Sequence, residues 1–164
     1  AKPEVIFMIG AYKTNSLFIK KAKESENLKD VIFCNISFGD ANSMVKELEN
    51  LNTTTKNIIF SQVVPSYSDL NIKAVKEYQT IMQKYFPNEP FGFLSLEAFL
   101  SSKVLVNALS RIEGKITREK LISTLKNTPE DLLEGIPLAY KNSHLLNNTF
   151  LFEYKNNECI EIKR

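Results

Sequence analysis

The fold is decided near the start of the chain, by the stretch Val5-Ile6-Phe7-Met8-Ile9-Gly10. Its five apolar residues leave no polar face, and strands of this kind occur in parallel sheets with helices covering both faces. Two more apolar runs follow, at 31–34 and at 58–60, the second of which extends through Ser61 and Gln62 to Val64, and an amphipathic helical pattern precedes each of them. Residues 1–64 therefore predict the order β-α-β-α-β, which is typical of a doubly wound, mostly parallel α/β sheet.

Capping residues and apolar stripes predict the helices between these strands. Ser16 can cap the first helix, in which Leu17, Phe18 and Ala22 form an apolar side. The basic cluster at 20–23 is followed at once by glutamates, so we interpret it as a solvated helix face. In the second helix, Met44, Val45, Leu48 and Leu51 recur at helical spacing.

The pattern changes after Pro65, where three helices follow without a strand before Gly135. The first of these helices is predicted to end before Pro87, and the second to span about 95–112. The third is predicted to begin at the N-cap Thr117. The middle helix is apolar almost all round, so we expect it to be central. Three helices without a sheet indicate a second lobe whose sheet is not in this chain.

Strands return near the end of the chain. A short extended run is predicted at 136–140, and two longer ones at 149–154 and 158–162. The last two flank Asn156 and Asn157, and asparagine tolerates the positive φ of a tight turn. These two strands therefore predict an antiparallel hairpin.

Composition and charge argue against several classes of protein. The chain has 164 residues and a net charge of only +2, which gives no support for a nucleic-acid partner, since such binding needs a concentrated basic face. No uninterrupted apolar run reaches the roughly 18 residues of a membrane span. Residues 1–4 lead directly into the first strand with no signal peptide, so we expect the sequence to begin inside a longer protein.

The residues that catalysis or cofactor binding would require are also missing. None of the five glycines forms a phosphate-binding motif, and no nucleophile elbow is present. Cys34, Cys159 and the single histidine, His144, are not at metal-ligand spacing. We expect Cys34 to be a small buried side chain and His144 to be a surface residue. The sequence thus predicts no enzyme, no cofactor and no metal.

Two loops have the composition of a binding site. Ligands of a doubly wound sheet bind beyond the carboxyl ends of the strands, where this chain has the loops 11–15 and 35–40. Both combine an aromatic ring with neutral hydrogen-bonding groups, as a site for a small solute requires. The candidate ligand-binding residues are Tyr12, Thr14, Asn35, Ser37, Phe38 and Asp40. An equally good alternative is that the two rings pack while Asn15, Ser16 and Asp40 cap helices.

Several segments together resemble the C-terminal half of the type I periplasmic binding proteins of the branched-chain amino-acid (Leu/Ile/Val) receptor family. Residues 5–23 are similar to the family's strand, glycine turn and amphipathic helix, and 61–65 resemble its crossover into the other lobe. The helix starts Val75-Lys76-Glu77-Tyr78, Ser95-Leu96-Glu97-Ala98-Phe99 and Thr117-Arg118-Glu119 also look like family sequences. The resemblance depends on the order and spacing of these segments over nearly the whole chain.

The resemblance implies a two-lobed fold with three hinge crossings, which clamps a ligand between its lobes. Residues 1–64 and 147–164 would belong to the C-terminal α/β lobe, and 65–146 to the helical part of the N-terminal lobe, including hinge crossings. Tyr12 matches the family's aromatic residue in the first loop. Ile36 or Ser37 falls where the family often has a carboxylate for the substrate's ammonium group. Asp40 is the alternative carboxylate, or a helix cap.

The first function to expect is an extracytoplasmic solute-binding component that delivers a small molecule to an ABC transporter permease. The alternative is a ligand-sensing ectodomain of a membrane receptor with the same fold, which predicts an apolar spanning run downstream of residue 164. We also expect the isolated chain to self-associate through the apolar surface of the helix around 96–112.

Overall fold

A computed structural model describes residues 2–156 and 158–163 of the chain. The strands are β1 (Val5–Met8), β2 (Ile32–Asn35), β3 (Ile58–Gln62), β4 (Phe150–Lys155) and β5 (Glu158–Glu161). The helices are α1 (Tyr12–Lys23), α2 (Ala41–Asn50), α3 (Lys73–Tyr85), α4 (Phe93–Ser110) and α5 (Arg118–Lys126). One turn of 3-10 helix, Ser37–Gly39, lies between β2 and α2.

The chain divides into two compact units. Unit 1 consists of Ala1–Val63 and Thr149–Arg164 and contains all five strands, whereas unit 2 consists of Val64–Asn148 and contains α3, α4 and α5. The assignment of residues 1–64 and 147–164 to a C-terminal lobe, and of 65–146 to an N-terminal lobe, stays a prediction.

Unit 1 is built on a five-stranded mixed sheet in the order β1-β2-β3-β4-β5. The pairs β1–β2 and β2–β3 are parallel, as the alternation of apolar runs and helices predicts. The pairs β3–β4 and β4–β5 are antiparallel, which confirms the closing hairpin. Asn156 adopts a φ of 53° in the hairpin turn, while the predicted contribution of Asn157 lies outside the described residues.

One face of this sheet is covered by the helices α1 and α2. Phe33, Ile58, Phe60 and Phe152 are fully buried on it, and Ile19 of α1 and Met44 of α2 are fully buried as well. On the other face of β1, Phe7 is 80% exposed, so the expectation of helices over both faces is not met by the described residues. The reason is topological: β1, β2 and β3 are added in one direction, and right-handed crossovers then place α1 and α2 on the same face.

Two predicted boundaries are wrong. Helix α1 begins at Tyr12 with extended Ala11 as its N-cap, so Asn15 and Ser16 lie inside the helix and do not cap it. The predicted strand at 136–140 does not form, because Ile136 makes only an isolated bridge to Leu133. Ser16 is buried inside α1, and Ile136 and Leu138 are buried without joining the sheet.

Unit 2 contains the three helices that follow Pro65, as predicted. Tyr78 of α3 lies buried against the start of α4, where its hydroxyl accepts a hydrogen bond from the Gly92 N–H at 3.0 Å and lies 2.6 Å from Ser95 Oγ. At the start of α5 the Thr117 side chain accepts a hydrogen bond from the Lys120 N–H, which confirms the predicted N-cap.

Helix α4 is less buried than its apolar composition predicts. Phe93, Leu96, Leu100 and Ala108 are buried, but Leu94, Leu105 and Val106 are exposed. By length and average composition alone the 18 residues could span a membrane, which the sequence analysis did not recognise because Glu97 and Lys103 interrupt the apolar run. This is weak evidence for a span, since a core helix of a soluble protein passes the same test.

The Tyr78→Phe substitution should lower the free energy of unfolding by about 1–3 kcal/mol, because it removes the hydroxyl and leaves the buried Gly92 N–H without its acceptor. Chemical denaturation of the full-length protein measures this loss. The matched control is Tyr85→Phe, since Tyr85 is exposed at the end of α3 and its hydroxyl can be hydrated. Equal stability of both variants would mean that the Tyr78 hydroxyl contributes nothing.

Candidate functional site

The candidate site is the edge of the unit 1 sheet at which β1, β2 and β3 end. These strands are parallel, so their carboxyl-terminal residues Met8, Asn35 and Gln62 share that edge. The segments that leave it run into α1, into the 3-10 turn before α2, and out of unit 1. This is the edge at which ligands of open α/β sheets bind.

The first predicted loop is shorter than expected. Only Ile9, Gly10 and Ala11 separate β1 from α1, so Tyr12 and Thr14 lie in the first turn of that helix. Tyr12 is half-buried and Thr14 is exposed. Both residues therefore stay at the predicted edge, but on a helix end instead of a flexible loop.

The second loop forms a single helical turn over Ser37–Gly39. Phe38 is 75% exposed and Ser37 is half-buried. Asp40 adopts a φ of 46° at the N-cap position of α2. Its carboxylate accepts a hydrogen bond from the Ser43 hydroxyl, and no side-chain hydrogen bond from Asp40 caps a backbone N–H.

A hydrogen bond between two buried amides connects the segments. Asn15 Nδ2 donates to Gly10 O at 3.1 Å and to Asn35 Oδ1 at 3.1 Å, and Asn35 Nδ2 lies 3.4 Å from Phe33 O. Asn35 is a predicted site residue, whereas the sequence analysis considered Asn15 only as a cap. No local signal identifies this pair, because the two residues are 20 positions apart in the sequence.

Two further buried polar atoms lie in the same unit. Ser16 Oγ in α1 and Gln62 Nε2 at the end of β3 are buried without a hydrogen-bond partner among the described residues. Neither was among the predicted site residues. Polar residues at the end of an otherwise apolar strand, as Ser61 and Gln62 are, were the sequence signal that could have identified the second of them.

The site does not have the electrostatics of a nucleophilic or metal centre. Burial raises the pKa of the Cys34 thiol above its usual value, and raises that of Cys159 to about 11, so both thiols are protonated at neutral pH. Cys34 is half-buried, less than predicted. Within residues 2–156 and 158–163, no group of three His, Cys, Asp or Glu side chains could hold a metal ion. His144 is exposed, as predicted, and belongs to unit 2.

The sequence model of a protein family described as periplasmic binding protein matches residues 1–158 of the chain. The chain belongs to the periplasmic binding protein family. Members of this family are solute-binding proteins. The match confirms the resemblance drawn from residue order and spacing, and with it the partial, α/β binding-protein fold. No curated protein matches the sequence.

Solved structures of periplasmic binding proteins have the same fold. A possible leucine/isoleucine/valine-binding protein from Rhodopirellula baltica is 26% identical, with a TM-score of 0.82 over 98% of this chain and 43% of its own. A leucine-binding protein from Thermotoga maritima is 15% identical, with a TM-score of 0.77 over 98% and 44%. A fatty acid ABC transporter substrate-binding protein from Thermomonospora curvata is 14% identical, with a TM-score of 0.75 over 97% and 42%.

The chain spans less than half the length of these periplasmic binding proteins. Their fold therefore extends well beyond the part that residues 1–164 represent.

Proposed function

We propose that this chain is part of an extracytoplasmic receptor that captures a small molecule, an amino acid or a related compound, and delivers it to an ABC importer. One observation carries the proposal. The first turn of α1 and the 3-10 turn after β2 lie at the carboxyl edge of a periplasmic binding protein sheet and are joined there by Asn15 and Asn35. Ligand sites of open α/β sheets lie at this edge.

The side chains at this edge suit a small solute with both polar and apolar parts. Tyr12 and Phe38 supply rings, and Thr14 and Ser37 supply hydroxyl groups that can donate or accept hydrogen bonds. Asp40 and Lys13 are the charged residues closest in sequence to these four. We propose that the solute is contacted by Tyr12, Thr14, Ser37, Phe38 and Asp40. Asn35, which is buried, contributes to the site from beneath these residues.

The neighbours do not fix the class of solute. One is named for leucine and another for a fatty acid, although both share the fold at a TM-score of at least 0.75. The chemistry of the solute depends on individual side chains, and fold alone does not specify them.

A thermal-shift screen followed by calorimetry on the full-length protein tests the proposal. The compounds are L-leucine, L-isoleucine, L-glutamine, acetamide, phenylacetate, octanoate and the dipeptide Ala-Ala. We expect at least one compound to raise the melting temperature in a concentration-dependent way, because a solute that binds only the folded state stabilises it. Absence of binding by every compound would contradict the proposal for these classes.

The second candidate function is a ligand-sensing ectodomain of a membrane receptor with the same fold. It is favoured by the same site, because a solute is captured in the same way whether the receptor then docks on a permease or transmits a signal. Uptake of the radiolabelled compound by cells that lack the gene distinguishes the two. An importer component predicts loss of uptake, whereas a sensor predicts normal uptake and an altered transcriptional response.

We also propose that the chain catalyses no reaction. The half-buried, protonated thiols of Cys34 and Cys159 and the exposed His144 support this, because nucleophilic catalysis requires an activated nucleophile beside a base. Recovery of chemically unchanged solute after prolonged incubation with the full-length protein is the expected result.

A further inference from the structure

Asn15 and Asn35 form a buried connection between the two segments of the candidate site, which we call the amide clasp. Asn15 lies in the first turns of α1 and is 5% exposed, and Asn35 ends β2 and is 2% exposed. Both amide groups are therefore removed from water. A buried amide is costly unless its donors and acceptors have partners, so these partners define its role.

The hydrogen bonds of the clasp are directed at the backbone and at each other. The Asn15 amide has two N–H donors, and one bonds to Gly10 O while the other bonds to Asn35 Oδ1, each at 3.1 Å. Gly10 lies in the turn between β1 and α1. Asn35 is the last residue of β2 and leads into the turn that contains Ser37 and Phe38. One side chain thus fixes both turns, and its donors are not available to a solute.

One glycine makes room for the clasp, and a second lies beside it. A Cβ atom at Gly10 would lie 2.6 Å from Asn15 Oδ1, which is closer than real Cβ contacts. A Cβ at Gly39 would lie 3.6 Å from Gly10 O and 4.0 Å from Asn15 Nδ2. The backbones of the two turns therefore approach each other around the Asn15 amide. This approach depends on the absence of a side chain at Gly10, whereas a Cβ at Gly39 would be in ordinary van der Waals contact.

We propose that Asn15 and Asn35 are positioning residues, which hold Tyr12 and the Ser37–Phe38 turn in their binding arrangement before any solute arrives. The inference rests on the proposed function and adds a mechanism to it. A turn that is already ordered in the free protein loses little conformational entropy on binding, and affinity increases accordingly. Asn35, which the sequence placed among the contact residues, acts in this account through the turns.

The matched variants Asn15→Asp and Asn35→Asp test the clasp. Asn15→Asp replaces the donating nitrogen by an oxygen that faces two acceptors, Gly10 O and Asn35 Oδ1. Asn35→Asp instead retains an oxygen that accepts from Asn15 Nδ2. Both variants place the same charge at nearly the same depth. Asn35→Asp gives up only the longer contact of Asn35 Nδ2 with Phe33 O, at 3.4 Å, whereas Asn15→Asp removes both donor bonds of the clasp, and this is the decisive difference between them.

In the absence of solute, we expect Asn15→Asp to raise amide hydrogen exchange about tenfold at residues 10–12 and 37–39, and Asn35→Asp to change it much less. For whichever compound of the screen binds the parent protein, the dissociation constant should rise about tenfold in Asn15→Asp and far less in Asn35→Asp. Exchange in unit 2, around Tyr78, should be unchanged in both variants.

Gly10→Ala provides a second variant in case Asn15→Asp does not fold. The added methyl group displaces the Asn15 amide without adding charge, and the same increases in exchange and dissociation constant are expected. Equal increases in amide exchange and dissociation constant in the two Asp variants would overturn the clasp. Unchanged exchange and affinity in Asn15→Asp and Gly10→Ala would also overturn it. If the parent protein binds none of the compounds, the proposed function fails, while the exchange measurement still decides whether the clasp holds the turns.

Discussion

Replacing Phe33 by alanine should lower the free energy of unfolding of the full-length protein by about 3–5 kcal/mol. Phe33 is fully buried on β2, in the middle of the parallel part of the sheet. Its ring packs edge-to-face against Phe18 with centroids 6.4 Å apart, and the Lys23 ammonium lies 5.5 Å from its centroid. The substitution leaves a cavity between the sheet and α1, and urea denaturation measures the loss.

The control for this substitution is Phe38→Ala. Phe38 is aromatic and lies five residues further along, but its side chain is largely exposed, so we expect a change within about 0.5 kcal/mol. If both variants lost the same stability, α1 would not be packed on this face of the sheet.

Replacing Tyr12 by alanine should weaken solute binding by more than about tenfold and leave the melting temperature nearly unchanged. Tyr12 lies half-buried in the first turn of α1 at the carboxyl edge, where its ring can cover the apolar part of a solute. Calorimetry with the best-bound compound of the screen measures the affinity, and thermal unfolding measures the stability.

Tyr85→Ala is the matched control for Tyr12→Ala. It removes the same side chain from an exposed position at the end of α3, and we expect it to leave affinity unchanged. Parent-like affinity in Tyr12→Ala would remove Tyr12 from the proposed contacts.

Much of the fold could be predicted because its signals are local. Apolar runs such as 58–60 and the helical spacing of Met44 and Leu48 identify β3 and α2 without reference to the rest of the chain. The two strands around Asn156 and the N-cap Thr117 depend on turn and capping chemistry, which is local as well.

The features that sequence reasoning missed depend on contacts between distant residues. The start of α1 was placed too late because Ser16 is a good cap, yet burial in the helix decides its position. The exposed face of β1 could not be predicted either, because an apolar sequence does not distinguish a strand with one covered face from a strand with two. Apolar composition likewise overstated the burial of α4.

The candidate site was predicted at the level of the sheet edge and not of individual contacts. The rule that ligands bind beyond the carboxyl ends of parallel strands needs only the strand order, so residues 12–14 and 37–40 could be selected. The pairing of Asn15 with Asn35 needs the three-dimensional approach of two turns, which Gly10 permits.

The most direct test of the account is hydrogen–deuterium exchange of the full-length protein with and without its best-bound compound. The central claim is that the turns at the carboxyl edge of the sheet contact the solute. We expect protection in the peptides that contain residues 9–14 and 36–40, and no change in those from the start of α5. Saturating, calorimetrically verified binding with no protection in either turn would contradict the claim.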